Sequence, residues 1–105
     1  MPDYFVTYDL RVTDPDPHAE FIRQAEARGW LAYKWGPKTR KWYRLPVTTL
    51  VGQFYNSRVA KARFLSARDA AEAALGIKVT IEKFILAAYR KAAFDSDERL
   101  EPQRE

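Results

Sequence analysis

Residues 4–10 run Tyr4-Phe5-Val6-Thr7-Tyr8-Asp9-Leu10, and this aromatic and β-branched composition predicts a β-strand. Prolines at positions 15 and 17 end the strand. A helix is predicted next, with Asp16 as its N-cap and Gly29 at its end. A carboxylate accepts hydrogen bonds from the first free N–H groups of a helix, and glycine adopts the left-handed conformation that closes one.

Two further strands are predicted at residues 30–35 and 47–54, because both runs are rich in aromatic or β-branched side chains. Between them, the segment Gly36-Pro37-Lys38-Thr39-Arg40-Lys41 combines glycine and proline with cations and predicts a basic turn. The two strands are therefore expected to form one hairpin with a long basic tip.

The second helix is predicted from an apolar stripe in which members are alternately four and three residues apart. The members of the stripe are Ala60, Phe64, Ala67, Ala71 and Ala74. Asn56 or Ser57 is suited to cap the start of this helix, and Gly76 its end. An alternative interpretation keeps residues 59–65 extended and begins the helix at Ser66.

A last strand is predicted at residues 78–88, and the resulting order is β-α-β-β-α-β. This order predicts a ferredoxin-like α+β fold, with a four-stranded antiparallel sheet and two helices on one face. The other face of the sheet would expose aromatic rings, which predicts a homodimer or a bound ligand. We expect a single domain over residues 1–94 and a polar, flexible tail over residues 95–105.

The composition excludes several classes of protein. The chain of 105 residues has a formal net charge of +4 and no cysteine, so disulfides and thiolate metal sites are excluded. No apolar run approaches the roughly 18 residues of a membrane span. The N-terminus lacks the basic and apolar regions of a signal peptide. We therefore expect a cytoplasmic protein, of a cell or of a virus within it, with no membrane partner.

The positive charge is concentrated in residues 30–64, which contain no aspartate or glutamate. The cations of this segment are Lys34, Lys38, Arg40, Lys41, Arg44, Arg58, Lys61 and Arg63. Tryptophan, tyrosine and phenylalanine are interleaved with them. Basic side chains bind a phosphate backbone, and aromatic rings stack on bases. The segment predicts a nucleic-acid partner, with RNA or single strands favoured.

Residues 35–44 are the strongest candidate for nucleic-acid binding. Phosphate contact is predicted for four cations and base stacking for two rings: Lys38, Arg40, Lys41 and Arg44, with Trp42 and Tyr43. In an alternative interpretation, Trp35 and Trp42 form a cross-strand pair that holds the hairpin together. On the second helix, Arg58 and Lys61 are further candidates for nucleic-acid contact, or else belong to a solvated basic face.

The Tyr8-Asp9 pair at the end of the first strand resembles a motif of small ferredoxin-like nucleases. These are the dimeric adaptation nuclease subunit of CRISPR systems and the GhoS-type endoribonuclease antitoxins, whose element order also resembles that of residues 4–88. The resemblance implies that Asp9 is catalytic and ligates Mg²⁺ opposite its twin in a homodimer. It therefore implies a metal-dependent endoribonuclease of toxin–antitoxin or CRISPR-like type. The basic hairpin has no counterpart in that pattern.

Asp9 also has structural interpretations, since it could cap a turn or pair with Arg11. A second cluster, formed by Asp14, Asp16 and His18, is better explained by acids at a helix start than by a metal site. The first functional hypothesis is accordingly a nucleic-acid-binding protein with Mg²⁺-dependent cleavage at Asp9. The alternative is a non-enzymatic interaction module, or an inhibitor or regulator, that presents the basic hairpin to an acidic protein. A third hypothesis is a scaffold dimer with an incidental basic face.

Overall fold

The strand predicted around residues 4–10 is the middle strand of an antiparallel sheet in the computed structural model, which describes residues 1–102. The elements, in chain order, are β1 (Asp3–Leu10), α1 (His18–Glu26), β2 (Tyr33–Gly36), β3 (Lys41–Arg44), β4 (Thr49–Gln53), α2 (Ser57–Leu75), β5 (Ile81–Tyr89) and β6 (Arg99–Leu100). They form two three-stranded sheets with the orders β4-β1-β5 and β2-β3-β6. We call the first the helix-backed sheet and the second the hairpin sheet.

The main core lies between the helix-backed sheet and the two helices. Alternate residues of β1 are buried on the face toward the helices: Tyr4, Val6, Tyr8 and Leu10. Tyr8 contacts the ring of Phe21 from α1 at a centroid distance of 5.1 Å and that of Phe64 from α2 at 5.5 Å. Both helices therefore pack on the same face of the sheet, as the alternation along β1 requires.

The second helix has the ends that the local sequence predicts, whereas α1 ends at Glu26 with Ala27 as its C-cap, before Gly29, and its predicted N-cap Asp16 is wrong by one residue. The Asn56 side chain accepts a hydrogen bond from the Val59 N–H at 2.9 Å, and Gly76 closes α2 with a φ of 69°. The long form of the second helix is thus confirmed, and the alternative start at Ser66 is wrong. In α1 the N-cap residue is Pro17, while the Asp16 carboxylate accepts a hydrogen bond from the next N–H, that of His18, at 3.0 Å.

The predicted four-stranded ferredoxin-like sheet is wrong, because the second strand does not join the others. Residues 33–36 pair instead with residues 41–44, from Tyr33 opposite Arg44 to Gly36 opposite Lys41. A single bridge between Leu31 and Val51 connects this part of the chain to β4. The hairpin sheet and the helix-backed sheet are therefore separate.

The physical reason is that the predicted basic tip is long enough to fold on itself. Gly36 lets the ring of Tyr43 lie against the backbone, where an added Cβ would come within 2.6 Å of a ring carbon. Arg40 then turns the chain with a positive φ of 58°, and Thr48, with a φ of 62°, redirects it into β4. Neither of the last two residue types commonly marks a left-handed turn.

The C-terminal residues also contribute to the hairpin sheet. β6 pairs with β3 in the antiparallel sense, with Leu100 opposite Trp42 and Arg99 opposite Tyr43. Residues 95–102 of the predicted tail are thus placed beside the hairpin, whereas its residues 103–105 lie outside the described part of the chain. The division into a domain over 1–94 and a flexible tail over 95–105 stays a prediction.

Within residues 1–102, none of the helices has the length and apolar character needed to cross a membrane.

Candidate nucleic-acid interface

The hairpin of β2 and β3 has two faces of different character, because side chains alternate along a strand. One face carries Tyr33, Trp35, Trp42 and Arg44, and we call it the tryptophan face. The other carries Lys34, Gly36, Lys41 and Tyr43, and we call it the tyrosine face. The turn at residues 37–40 joins the strands beyond both faces. The hairpin residues predicted to bind nucleic acid are therefore divided among three surfaces.

Lys38 and Arg40 occupy the turn, and both side chains are exposed. Neither takes part in any of the ion pairs found among residues 1–102. An unpaired, exposed cation can approach a phosphate without first losing a protein partner. These two predicted contacts are thus placed where a polyanion can reach them.

The tryptophan face is aromatic but flanked by acids. Trp35 and Trp42 face each other with ring centroids 5.1 Å apart, so the predicted cross-strand pair is confirmed. Both tryptophans line an open groove of about 930 Å³ whose lining also includes two acidic residues, Glu26 and Glu101. Negative charge beside a phosphate is unfavourable, so this face is a poorer phosphate site than the turn.

Arg44 is engaged within the protein on the same face. Its guanidinium donates hydrogen bonds to the carbonyl oxygens of Ala32 at 3.1 Å and Leu45 at 3.3 Å. It also lies 5.7 Å from the centroid of the Tyr33 ring. Burial, and then a hydrogen bond to the carboxylate of Glu98, raise the pKa of Tyr33. In this arrangement Arg44 stabilises the base of the hairpin.

The tyrosine face is covered by the C-terminal residues. Tyr43 is only 7% exposed, and its hydroxyl forms a hydrogen bond with the Thr39 hydroxyl at 2.8 Å. Its ring meets the edge of Phe94 at 5.5 Å and the guanidinium of Arg99 at 4.6 Å. A ring so enclosed offers no free face for a base in this conformation.

Lys41 is also partnered on the tyrosine face. Its ammonium lies 3.3 Å from the carboxylate of Glu101. Lys34 donates a hydrogen bond to the Tyr89 hydroxyl at 3.1 Å and lies 5.2 Å from the centroid of the Phe94 ring. Sequence reasoning missed these contacts, and the one signal available for them was the excess of acids at residues 95–101, opposite in sign to the hairpin.

The second helix carries the remaining predicted contacts. Arg58 and Lys61 are exposed in the first two turns of α2, and the first turn contains no acid. Cations near the N-terminus of a helix face the positive end of the helix dipole, so they reduce the stability of the helix. This applies to Arg58, which lies in the first turn, and the exposure of both side chains is compatible with anion contact and with a solvated basic face.

Asp9 lies on the outer face of the helix-backed sheet, opposite Lys83 of β5, and is exposed. Its carboxylate takes no part in the hydrogen bonds or ion pairs of residues 1–102. The alternative pairing with Arg11 is not formed, because Arg11 contacts Glu82 at 3.4 Å. The described residues contain no group of three or more potential metal ligands. A Mg²⁺ site at Asp9 would thus need ligands from another molecule.

The second acidic cluster forms local contacts. The His18 ring and the Asp16 carboxylate are hydrogen-bonded at 2.5 Å, and this contact is the main reason why the pKa of Asp16 is lowered. The same carboxylate binds the His18 N–H at the start of α1. The interpretation of these acids as part of a helix start is consistent with this geometry.

Comparison with known proteins found no matching family model, no similar curated protein and no similar solved structure. The resemblance to the CRISPR and GhoS-type nucleases therefore stays a prediction that depends on Tyr8, Asp9 and the first strand.

Proposed function

We propose that this protein binds nucleic acid in the cytoplasm, and that RNA or other single strands are its preferred ligands. The observation that carries the proposal is the pair of exposed cations at the hairpin turn, Lys38 and Arg40, which have no acidic partner within residues 1–102. The adjacent Lys41 adds a third cation, although Glu101 holds it here. Phosphate neutralisation by such side chains gives affinity that depends steeply on salt.

The preference for single strands rests on the aromatic rings beside these cations. Trp35 and Trp42 are half-buried, so each retains an exposed portion within the same short hairpin. Bases of a single strand can stack on such rings, whereas bases within a duplex cannot. The acids beside the tryptophan face limit this contribution, and the turn is expected to supply most of the affinity.

The test is fluorescence anisotropy of a labelled single-stranded RNA and a labelled DNA duplex, at low and near-physiological salt. The variant Lys38→Gln/Arg40→Gln is compared with the matched control Lys78→Gln/Arg90→Gln, which removes the same charge from exposed positions elsewhere. We expect the hairpin variant to reduce the slope of log affinity against log salt by about 1 to 2, and the control to leave it nearly unchanged. Equal losses of affinity in both variants would mean that net charge, and not the hairpin turn, determines binding. No binding at low salt would overturn the proposal.

Cleavage is a separate part of the proposal. Asp9 is exposed without a partner, which suits a ligand position shared between two copies of the chain, and a homodimer would then complete the Mg²⁺ site. RNA of the bound type should be cut in Mg²⁺ and left intact in EDTA or by Asp9→Asn, with Asp69→Asn as the control of equal charge. A protein that binds RNA but cuts none in Mg²⁺ is a binding protein only.

A second candidate function is the non-enzymatic module that binds an acidic protein. The observation in its favour is that the hairpin already holds an acidic strand, its own residues 98–101, through an ion pair and β-pairing. Such a partner would add a strand to the sheet edge by main-chain hydrogen bonds. This function predicts tight binding to one acidic protein and no affinity for RNA, so RNA binding in the same titration separates the two.

A further inference from the structure

Residues 94–101, which we call the C-terminal strap, cover the tyrosine face of the hairpin with two side chains of particular chemistry. The planar guanidinium of Arg99 lies 4.6 Å from the centroid of the Tyr43 ring. The carboxylate of Glu101 lies 3.3 Å from the ammonium of Lys41. Arg99 and Glu101 are two residues apart, so they project to the same side of an extended chain.

These two contacts have the chemistry of a bound nucleotide. A base presents a flat polar surface that stacks on tyrosine, and a guanidinium stacks on the same surface. A phosphate presents anionic oxygens to a lysine, as a carboxylate does. The strap therefore places a planar group on Tyr43 and an anion on Lys41, the two residues for which the sequence predicts base stacking and phosphate contact.

We propose that the strap occupies a nucleotide subsite formed by Tyr43 and Lys41, and that a single-stranded nucleic acid takes its place. This inference rests on the proposed nucleic-acid function and adds the regulation of the same surface. The free cations of the turn, Lys38 and Arg40, make the first contact, and the strand then extends along β3 as the strap leaves. In the closed form the strap mimics the ligand and lowers the affinity of the protein for it.

The strap is held by contacts that a ligand can replace. Its strand β6 has two residues, and the Lys41–Glu101 pair is exposed to solvent, where ion pairs contribute little and weaken with salt. Arg99 is preorganised by the Asp95 carboxylate at 2.9 Å, and the Ser96 N–H and Arg99 lower the pKa of Asp95. The hydrogen bond from the main-chain N–H of Arg44 to the main-chain carbonyl oxygen of Glu98, at 2.9 Å, is nearer the base of the hairpin. Release is thus expected to begin at Glu101.

The test uses the variant Arg99→Gln/Glu101→Gln, which removes both mimicking groups and leaves the net charge unchanged. The matched control is Glu20→Gln/Arg23→Gln, which removes an ion pair of α1 between the exposed Arg23 and the half-buried Glu20 and is also neutral in charge. Each protein is titrated into labelled single-stranded oligouridylate at low salt. We expect the strap variant to bind about 5- to 10-fold more tightly than the wild type and the control to lie within about 2-fold of it.

A second comparison identifies the site that the strap covers. Lys41→Gln should change the affinity of the wild type by less than about 2-fold, because Glu101 already holds Lys41. In the strap variant the same substitution should weaken binding by about 5-fold or more, because Lys41 is then free for phosphate. An equal effect of Lys41→Gln in both backgrounds, or an unchanged affinity of the strap variant beside a wild type that binds, overturns this inference alone. Failure of every variant to bind RNA overturns the proposed function as well.

Discussion

The helix-backed sheet and the hairpin sheet use the same kinds of aromatic residue in opposite ways. In the first, Trp30, Phe21 and Phe64 are fully buried. The ring of Phe64 lies 5.5 Å from that of Phe21 and 6.4 Å from that of Trp30, measured between centroids. In the second, Trp35 and Trp42 pair across two short strands and remain partly exposed. The difference shows that burial stabilises one region, while the other depends on contacts between side chains that border solvent.

The largest effect that this comparison predicts is at Phe64. Its ring lies 5.4 to 6.4 Å from four other aromatic rings, and the residue is 0% exposed. Phe64→Ala should lower the free energy of unfolding by about 3 to 5 kcal/mol, because it removes buried apolar area and leaves a cavity. Urea unfolding followed by far-UV circular dichroism measures the change. Tyr55→Ala, at a residue 76% exposed, is the control and should cost less than about 0.5 kcal/mol.

The next effect is a loss of folding stability at alkaline pH, which arises from Tyr8 in the same core. Burial raises the pKa of Tyr8 from 10.0 to about 12, with a smaller opposing effect of Arg44. A raised pKa means that the folded state holds the proton more tightly, so this stability is present below pH 10 and is lost as the pH rises toward 12. The loss should be about 2 to 3 kcal/mol.

Chemical unfolding across this pH range tests the assignment to Tyr8. Tyr8→Phe, which has no proton to lose, should remove that part of the alkaline decline, whereas Tyr55→Phe should keep it. A Tyr8→Phe variant that declines as steeply as the wild type would show that the alkaline sensitivity arises elsewhere in the molecule.

A smaller effect is expected in the hairpin sheet. Trp42→Ala removes the pair with Trp35 but opens no enclosed cavity, since both rings border solvent. The free energy of unfolding should fall by about 1 kcal/mol, in contrast to the Phe64 variant. Should Trp42→Ala destabilise the protein as much as Phe64→Ala, the distinction between a buried core and a hairpin that borders solvent would be wrong.

The elements of the helix-backed sheet could be predicted because their signals are local. The β1 alternation, the Asn56 cap and the Gly76 end each lie within a few residues of the structure they specify. The predicted order of the strands in the sheets was wrong, because strand order depends on where the chain reverses direction. The reversals at Arg40 and Thr48 use positive φ at residues that seldom signal a turn.

The candidate site was predictable in its charges but not in its coverage. The exposed cations at Lys38 and Arg40 follow directly from composition and turn chemistry. The enclosure of Tyr43 depends on Phe94 and Arg99, more than fifty residues away in the chain. A strand of two residues has no periodicity to detect, so β6 could not be predicted.

The smallest predicted change in stability comes from substitution of Arg58 in α2, where the effects on folding and on RNA binding have opposite signs. Arg58 stands in the first turn, beside the positive end of the helix dipole, and that turn has no acid. Arg58→Glu should therefore raise the free energy of unfolding by about 0.3 to 1 kcal/mol, while weakening any binding of RNA through this helix. Arg58→Gln separates the loss of the cation from the gain of an acid, and should give about half the stabilisation. If Arg58→Glu stabilises the protein and leaves RNA affinity unchanged, Arg58 belongs to a solvated basic face and the hairpin carries the binding alone.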